Sequence, residues 1–222
     1  MASKDRAIGR AAFLGMLGTG AAGIFFARDL TSAVSRVVPN GITALVPTAG
    51  WRIYTVADSM PDIDPGAYRL QVSGVVGAPA SLSLEDLKRL PRTEQVSDFH
   101  CVTGWGVNNV HWAGVRMSDL MTHVKADLTA GGVRFVSAEK PYEDSLTIKQ
   151  AMLSDVLLAY EMDGTPLPRP HGAPVRLVIP EMYGYKSVKW VEQVQFETTP
   201  RDGFWEDHGY DADAWVGRSN GA

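Results

Sequence analysis

Ala173-Pro174-Val175-Arg176-Leu177-Val178-Ile179-Pro180 is an apolar run of strand length, bounded by proline near each end and carrying one guanidinium inside it. Proline has no backbone donor for a sheet ladder, so the two prolines confine the strand to the residues between them. Before this run, Leu157 to Met162 is apolar and ends in Asp163-Gly164, a tight-turn pair. After it, Val188 to Phe196 reads as a longer strand. Further out, Tyr68 to Val75 alternates Tyr68, Leu70 and Val72 with Arg69, Gln71 and Ser73, the pattern of a half-buried strand, and Val133 to Ser137 reads as another. The expected helices are short. Ser83 can cap one whose apolar face is Leu84, Leu87 and Leu90 and which Pro91 ends; Ser118 can cap a second running through Asp119 to His123. Strands outnumber helices and do not alternate with them, so the expected fold class is α+β, with mixed sheets and short helices.

The 222 residues, 45% hydrophobic, suffice to bury a substantial core. A net charge of -4 without any Lys/Arg-rich run gives no electrostatic footprint for a polyanion, which excludes nucleic acid as the expected partner. Residues 1–30 differ in kind from the rest: Lys4, Arg6 and Arg10 precede an uncharged stretch from Ala11 to Ala27, closed by Arg28 and Asp29. This reads as an export signal or membrane anchor. Ala11, Gly15, Thr19, Gly23 and Ala27 form a small-residue stripe suited to helix packing in a membrane. Gly9 to Leu14 resembles a twin-arginine signal with Ala11 in place of the second arginine. Residues 31–50 read as a linker and 51–222 as the folded domain. The expected location is therefore extracytoplasmic, periplasmic in a two-membrane cell.

The chemistry-bearing residues fall in two segments. The chain's single cysteine lies in Phe99-His100-Cys101-Val102-Thr103-Gly104-Trp105, followed by Trp112-Ala113-Gly114-Val115. A lone thiol in an exported protein is either inert in the core or chemically used; its thiolate is a soft metal ligand, and no further Cys or His stands at zinc-finger spacing. The second segment is the one that holds Arg176. A guanidinium inside an apolar strand needs a partner. An ion pair with Glu181 or Glu192 is one answer. An anionic ligand is the other, with His171, Lys186 and Lys189 as further donors for phosphate-like oxygens.

Taken in order, Trp51-Arg52-Ile53-Tyr54, Leu70-Gln71-Val72-Ser73-Gly74, His100-Cys101-Val102 with Gly104-Trp105, His171-Gly172-Ala173-Pro174-Val175-Arg176 and Tyr183-Gly184-Tyr185-Lys186-Ser187-Val188-Lys189-Trp190 resemble the sulfite oxidase and methionine-sulfoxide reductase superfamily. The resemblance runs from Trp51 to the C-terminus. It implies a molybdopterin cofactor whose molybdenum is ligated by Cys101, the catalytic anchor, with His100 beside it. It further implies that His171, Arg176, Ser187, Val188 and Lys189 hold the pterin and its phosphate, with Tyr54 and Arg52 as further cofactor contacts. Sulfite oxidases follow the cysteine with Ala-Gly-Asn-Arg-Arg, whereas Val102-Thr103-Gly104-Trp105-Gly106 carries no charge. A sulfoxide-like substrate is expected over sulfite. The chain stops at residue 222, without the C-terminal dimerisation domain of sulfite oxidases, which points to the reductase-like branch, while His171 follows the oxidase pattern. The resemblance also implies a haem or quinol-linked membrane partner for electrons.

The aromatic tail, Gly203 to Tyr210 and Trp215, reads either as a cover for apolar surface or as the ending of family members paired with a membrane haem protein. His111 and Trp112 read as structural; with His100 and Trp105, His111 is also a candidate for the pocket wall. Two other readings stay open on the residues alone: a metal-free cysteine acyl transferase with His100 or His111 as base to Cys101, and a non-catalytic binding module with a buried thiol.

Overall fold

The computed structural model of the chain describes residues 47–48 and 50–220. The expected signal or anchor segment, and all but the last residues of the linker, lie outside the described residues. Strands β1 (Pro47–Thr48) and β2 (Trp51–Arg52) form a small hairpin where the domain was expected to begin. Next come β3 (Leu70–Gly74), β4 (Ala80–Leu82) and helix α1 (Leu84–Arg89). Ser83 caps α1 as its sequence implies: its hydroxyl accepts from the Asp86 amide, and the Asp86 carboxylate accepts from the Ser83 amide. A long hairpin follows, β5 (Arg92–His100) and β6 (Gly106–Arg116), and leads directly into α2 (Met117–His123). Here the expectation of a Ser118 cap is corrected. The first cap position is Arg116, with no side-chain bond, because Val156 already accepts from the Met117 amide at 2.9 Å.

The remaining elements are β7 (Gly132–Ser137), β8 (Glu143–Thr147), α3 (Ile148–Ala151), β9 (Leu157–Met162), β10 (Thr165–Pro166), β11 (Arg176–Val178), β12 (Val191–Glu197) and α4 (Phe204–Asp207). One sheet runs β4-β3-β12-β7-β8, with only β3 and β12 parallel. The other runs β10-β9-β6-β5, with β11 also paired to β9. Asp163 and Gly164 turn β9 into β10 with positive φ, as their sequence requires. The strand expected from Val188 begins only at Val191, since Trp190 takes φ 49° and its amide reaches back to the Gly172 carbonyl. Among the described residues no helix is long and apolar enough to cross a membrane.

The second sheet separates two apolar cores. Leu158, Tyr160, Leu177 and Val115 face the main core, while Leu157, Ala159, Val178 and Trp112 face a smaller one shared with Trp51 and Ile53. This explains why β9 and β11 read as continuous apolar runs: both of their faces are dry. Arg176 stands two residues before Val178, so side-chain alternation turns it toward the smaller core. The candidate site opens there.

Candidate active site

The tight connection between β5 and β6 presents Cys101. The Cys101 amide donates to the Trp105 carbonyl at 2.8 Å and the Gly104 amide donates to the Cys101 carbonyl at 3.0 Å, a short turn that Gly104 closes with φ 86°. Phe99 and Trp105 pack on the smaller core while Val102 packs on the main one, so Cys101 lies at the seam between them. Its thiol contacts the Thr103 hydroxyl at 3.2 Å. Burial pushes the thiol above its ordinary pKa; the Thr103 hydroxyl and amide, Arg52 and Trp105 pull the other way.

Cys101 opens on a cleft enclosing about 890 Å³, its mouth included. The loop Tyr183–Lys189 reaches it because Gly184 lies almost against the Phe99 ring: a Cβ there would sit 2.2 Å from Phe99 Cζ, and the Gly184 amide donates to the His100 carbonyl at 2.7 Å. Arg52, Tyr54, Cys101, His171, Arg176, Ser187 and Lys189 all line this cleft, convergent from four separate stretches of chain. Two residues expected with them do not line it. Val188 is fully buried in the main core, and its amide and carbonyl bond Lys186 and Leu177. His100 ends β5 opposite Gly106 and touches the loop through its carbonyl.

Arg176 settles its own question. It is 2% exposed and has no carboxylate partner among the described residues; Glu192 pairs with Lys140 instead. Its guanidinium donates to the His171 carbonyl at 3.1 Å, more weakly to those of Ser187 and Leu177, and sits between the rings of Trp112 and Phe99, at 5.2 and 5.6 Å. Burial lowers its pKa to about 10. Burial, then Arg176 and Lys189, lower His171 to about 4, so its imidazole is neutral at pH 7; the ring stands edge-on to Trp51 and makes no hydrogen bond among the described residues. Lys189 donates to the Tyr54 carbonyl at 2.6 Å, and desolvation brings it to about 7 with Arg176 adding to the fall and Glu139 opposing it.

Lys186 is a correction. It was expected among the phosphate donors, but its ammonium is buried between Asp144 and Glu206, away from the cleft. Residues the sequence did not assign to the site also line the cleft. Glu139, 3% exposed, accepts from the Val56 amide at 2.8 Å and from the Thr55 hydroxyl, tying the strap after β2 to the end of β7. Tyr142, Tyr185, Trp205 and Tyr210 form an aromatic side, so the tail both covers the main core and walls the cleft.

The donor set suits a large anionic group carrying a soft metal. Buried Arg176 and half-buried Lys189 lack carboxylate ion pairs among the described residues, the withdrawn Tyr54 hydroxyl has no hydrogen-bond partner among them, and a single thiol faces the same space. Among the described residues no three His, Cys, Asp or Glu side chains gather to hold a metal, so an ion at Cys101 needs further ligands from a bound group. Residues 57–205 match the oxidoreductase molybdopterin-binding domain. The chain belongs to that family.

Relatives of this molybdopterin-binding oxidoreductase extend the match. The chain is 40% identical to an uncharacterized oxidoreductase, YuiH, of Bacillus subtilis, over 66% of this chain and 74% of that protein. It is 31% identical to the putative protein-methionine-sulfoxide reductase subunit YedZ1 of Azospira oryzae, over 82% of this chain and 70% of the relative. Identity to the mitochondrial sulfite oxidase of Rattus norvegicus is 32%, over 68% of this chain but only 33% of that one. The crystal structure of the sulfane dehydrogenase SoxCD from Paracoccus pantotrophus superposes with a TM-score of 0.60 at 25% identity, covering 64% of this chain and 41% of that chain. The α+β, sulfite oxidase-type fold is thus established. The chain is an oxidoreductase of the sulfite oxidase family, and its cofactor is molybdenum-molybdopterin.

Proposed function

We propose that this oxidoreductase moves an oxygen atom to or from a sulfoxide-like substrate, small or protein-bound, and exchanges electrons with a haem or quinol-linked membrane protein. The observation that carries the reading is Arg176: a buried guanidinium without a carboxylate partner among the described residues, in the same cleft as the chain's only thiol. In this reading Cys101 ligates molybdenum, and His171, Arg176, Ser187 and Lys189 hold the pterin and its phosphate, with Arg52 and Tyr54 at the cleft's other wall. His100 and Val188 act from behind, through the backbone of the loops they belong to. The bound cofactor supplies oxygen-atom and electron transfer. The protein's own part is electrostatic and steric. Thr103 and Arg52 favour the Cys101 thiolate, which burial alone would disfavour. Neutral His171 keeps one ring N–H to donate and one nitrogen to accept, and Lys189 gains a proton when an anion replaces its lost solvation. Tyr142, Tyr185, Trp205 and Tyr210 exclude water from the far side.

Two things support the substrate class: the uncharged Val102 to Gly106 segment beside Cys101, and similarity to a putative methionine-sulfoxide reductase subunit. Export, with residues 1–30 as signal or membrane anchor, belongs to the same proposal and is supported by the basic-then-apolar pattern of that segment. A metal-free acyl transfer mechanism has no support here: the Cys101 thiol bonds Thr103 rather than a histidine, and His111 is exposed beside Asp163.

The test is metal and pterin content of protein purified from a host that makes the cofactor, with Cys101→Ser alongside. Near-stoichiometric molybdenum is expected in the wild type and its loss in the variant. Wild type without molybdenum or pterin refutes the reading. Dye-linked turnover of dimethyl sulfoxide should exceed that of sulfite; the reverse order overturns the substrate class.

A further inference from the structure

The aromatic side of the cleft is held by a cluster the site itself does not use. Lys186 lies between Tyr185 and Ser187, both cleft residues, yet its ammonium is buried between the Asp144 carboxylate at 2.6 Å and that of Glu206, with the Ser145 carbonyl at 3.1 Å. None of the three side chains is more than 3% exposed. One ammonium balances one carboxylate, and a further unpaired charge in such a place is strongly unfavourable. The Ser145 amide donates to Asp144 Oδ1 at 2.7 Å, but Asp144 Oδ2, Glu206 Oε2 and Ser145 Oγ have no hydrogen-bond partner among the described residues, and no second cation pairs with either carboxylate there. The other ionisable groups around it are Tyr142 and Tyr185, with Glu139 beyond the first and Asp211 beyond the second. None is cationic. Burial above all holds both phenols above their ordinary range, so they stay uncharged.

We propose that Asp144, Lys186 and Glu206 form a proton-loaded latch that positions the C-terminal segment, and with it Trp205 and Tyr210, against the cleft. Lys186 stands in the loop that carries Ser187 and Lys189, Asp144 in β8 and Glu206 in α4, so one ammonium joins three elements. The fit at the start of α4 is close: a Cβ on Gly203 would meet Asp144 Cα and the Glu143 carbonyl at 2.8 Å. Beyond α4 the segment is laid along the loop by the Tyr183 amide on the Ala214 carbonyl, the Tyr185 hydroxyl on the Asp211 carbonyl, and the Val216 amide on the Glu181 carbonyl. When the Asp144 proton leaves, the cluster carries one uncompensated buried negative charge. Glu206, in the shortest of the three elements, is released to water, and α4 goes with it. Burial, with the Glu206 charge adding and Lys186 opposing, raises Asp144 from 3.8 to about 8. A carboxyl whose folded pKa is raised stabilises the fold fully below its unfolded pKa, and that stability is lost as pH rises through the folded value. The latch therefore weakens progressively as pH rises from about 4 and is weakest from about pH 8 upward. Burial opposes the Lys186 charge, but the two carboxylates outweigh it and hold its pKa above normal, so it stays charged throughout.

Amide hydrogen exchange on the full-length holoprotein tests this directly, with peptides over residues 203–220 compared with the β7 peptide as internal reference. Between about pH 6 and about pH 9.5, corrected for intrinsic rates, exchange of the tail should rise about tenfold or more while β7 stays protected. Glu206→Gln and, from the other side of the lysine, Asp144→Asn should each abolish the step and leave the tail protected at both ends of the range. A wild-type tail equally protected at both pH values overturns the latch, whether or not either variant folds. So does the wild-type step persisting in Glu206→Gln. Molybdenum content on the same samples keeps the two proposals apart: protein without the cofactor but with an intact pH step refutes the reading of the cleft and leaves the latch standing.

Discussion

Arg176 and Lys186 are both almost completely withdrawn from water, at 2% and 3% exposure, and they are satisfied in opposite ways. Lys186 has two carboxylates for one charge; Arg176 has none among the described residues, only carbonyls and the faces of Phe99 and Trp112. A cation that serves only the fold is surrounded by its counterions when the chain folds. In the proposed function, a cation left without them and lining the cleft keeps its charge for an anion that binds later. Burial by itself did not distinguish the two, and the counterion did.

The largest expected effect breaks the paired side. Lys186→Met leaves two buried carboxylates with no cation, and unfolding by urea at pH 7 should show a loss of about 3–5 kcal/mol. Loss below about 1 kcal/mol would mean that the pairing does not hold the fold. On the unpaired side, Arg176→Met should leave the cofactor-free protein within about 1.5 kcal/mol of wild type or more stable, because no ion pair is broken. Retained molybdopterin should nonetheless fall about tenfold or more, roughly 1.4 kcal/mol of binding. Unchanged retention would make Arg176 as structural as Lys186. A smaller change sharpens the thiol's part: Thr103→Val removes the 3.2 Å contact, worth about 1 kcal/mol to the thiolate, and should slow alkylation of Cys101 in cofactor-free protein at pH 8. The smallest concerns Lys189. Its folded pKa of about 7 lies below its ordinary 10.5, so the unfolded chain binds more protons between those values and the cofactor-free fold gains stability as pH rises through that window. Lys189→Met should flatten that rise in a series of melting temperatures.

Local features were readable from the sequence. The Ser83 cap, the Asp163-Gly164 turn and the alternation in β3 depend on neighbours within a few residues, and all formed where expected. The β5–β6 hairpin that presents Cys101 was not anticipated, since β5 is an edge strand partly exposed on both faces and its polar Thr93, Gln95 and Ser97 give no apolar period. Lys186 was grouped with Lys189 by proximity in the chain, whereas the carboxylates that claim it lie 42 and 20 residues away. The alternative of an ion pair for Arg176 failed for the same reason in reverse: Glu192 faces Lys140. Ordered motifs brought Cys101, His171, Arg176, Ser187 and Lys189 to attention, and the fold gathers them in one cleft. The contributions of Glu139, Tyr142 and the tail depend on packing between distant segments, which no spacing rule encodes.

Strand β9 separates the two cores, so adjacent residues along it report on different parts of the molecule. Substitutions at Leu158 and Tyr160 disturb the interior shared by both sheets, while those at Leu157 and Ala159 disturb the packing beneath Trp51 and Trp112, against which His171 and Arg176 rest. In a saturation mutagenesis of this strand scored separately for abundance and for loaded cofactor, the two scores should fall together at the even positions Leu158 and Tyr160 and diverge at the odd positions Leu157 and Ala159. The parity of a residue number would then tell which side of the protein a variant has damaged.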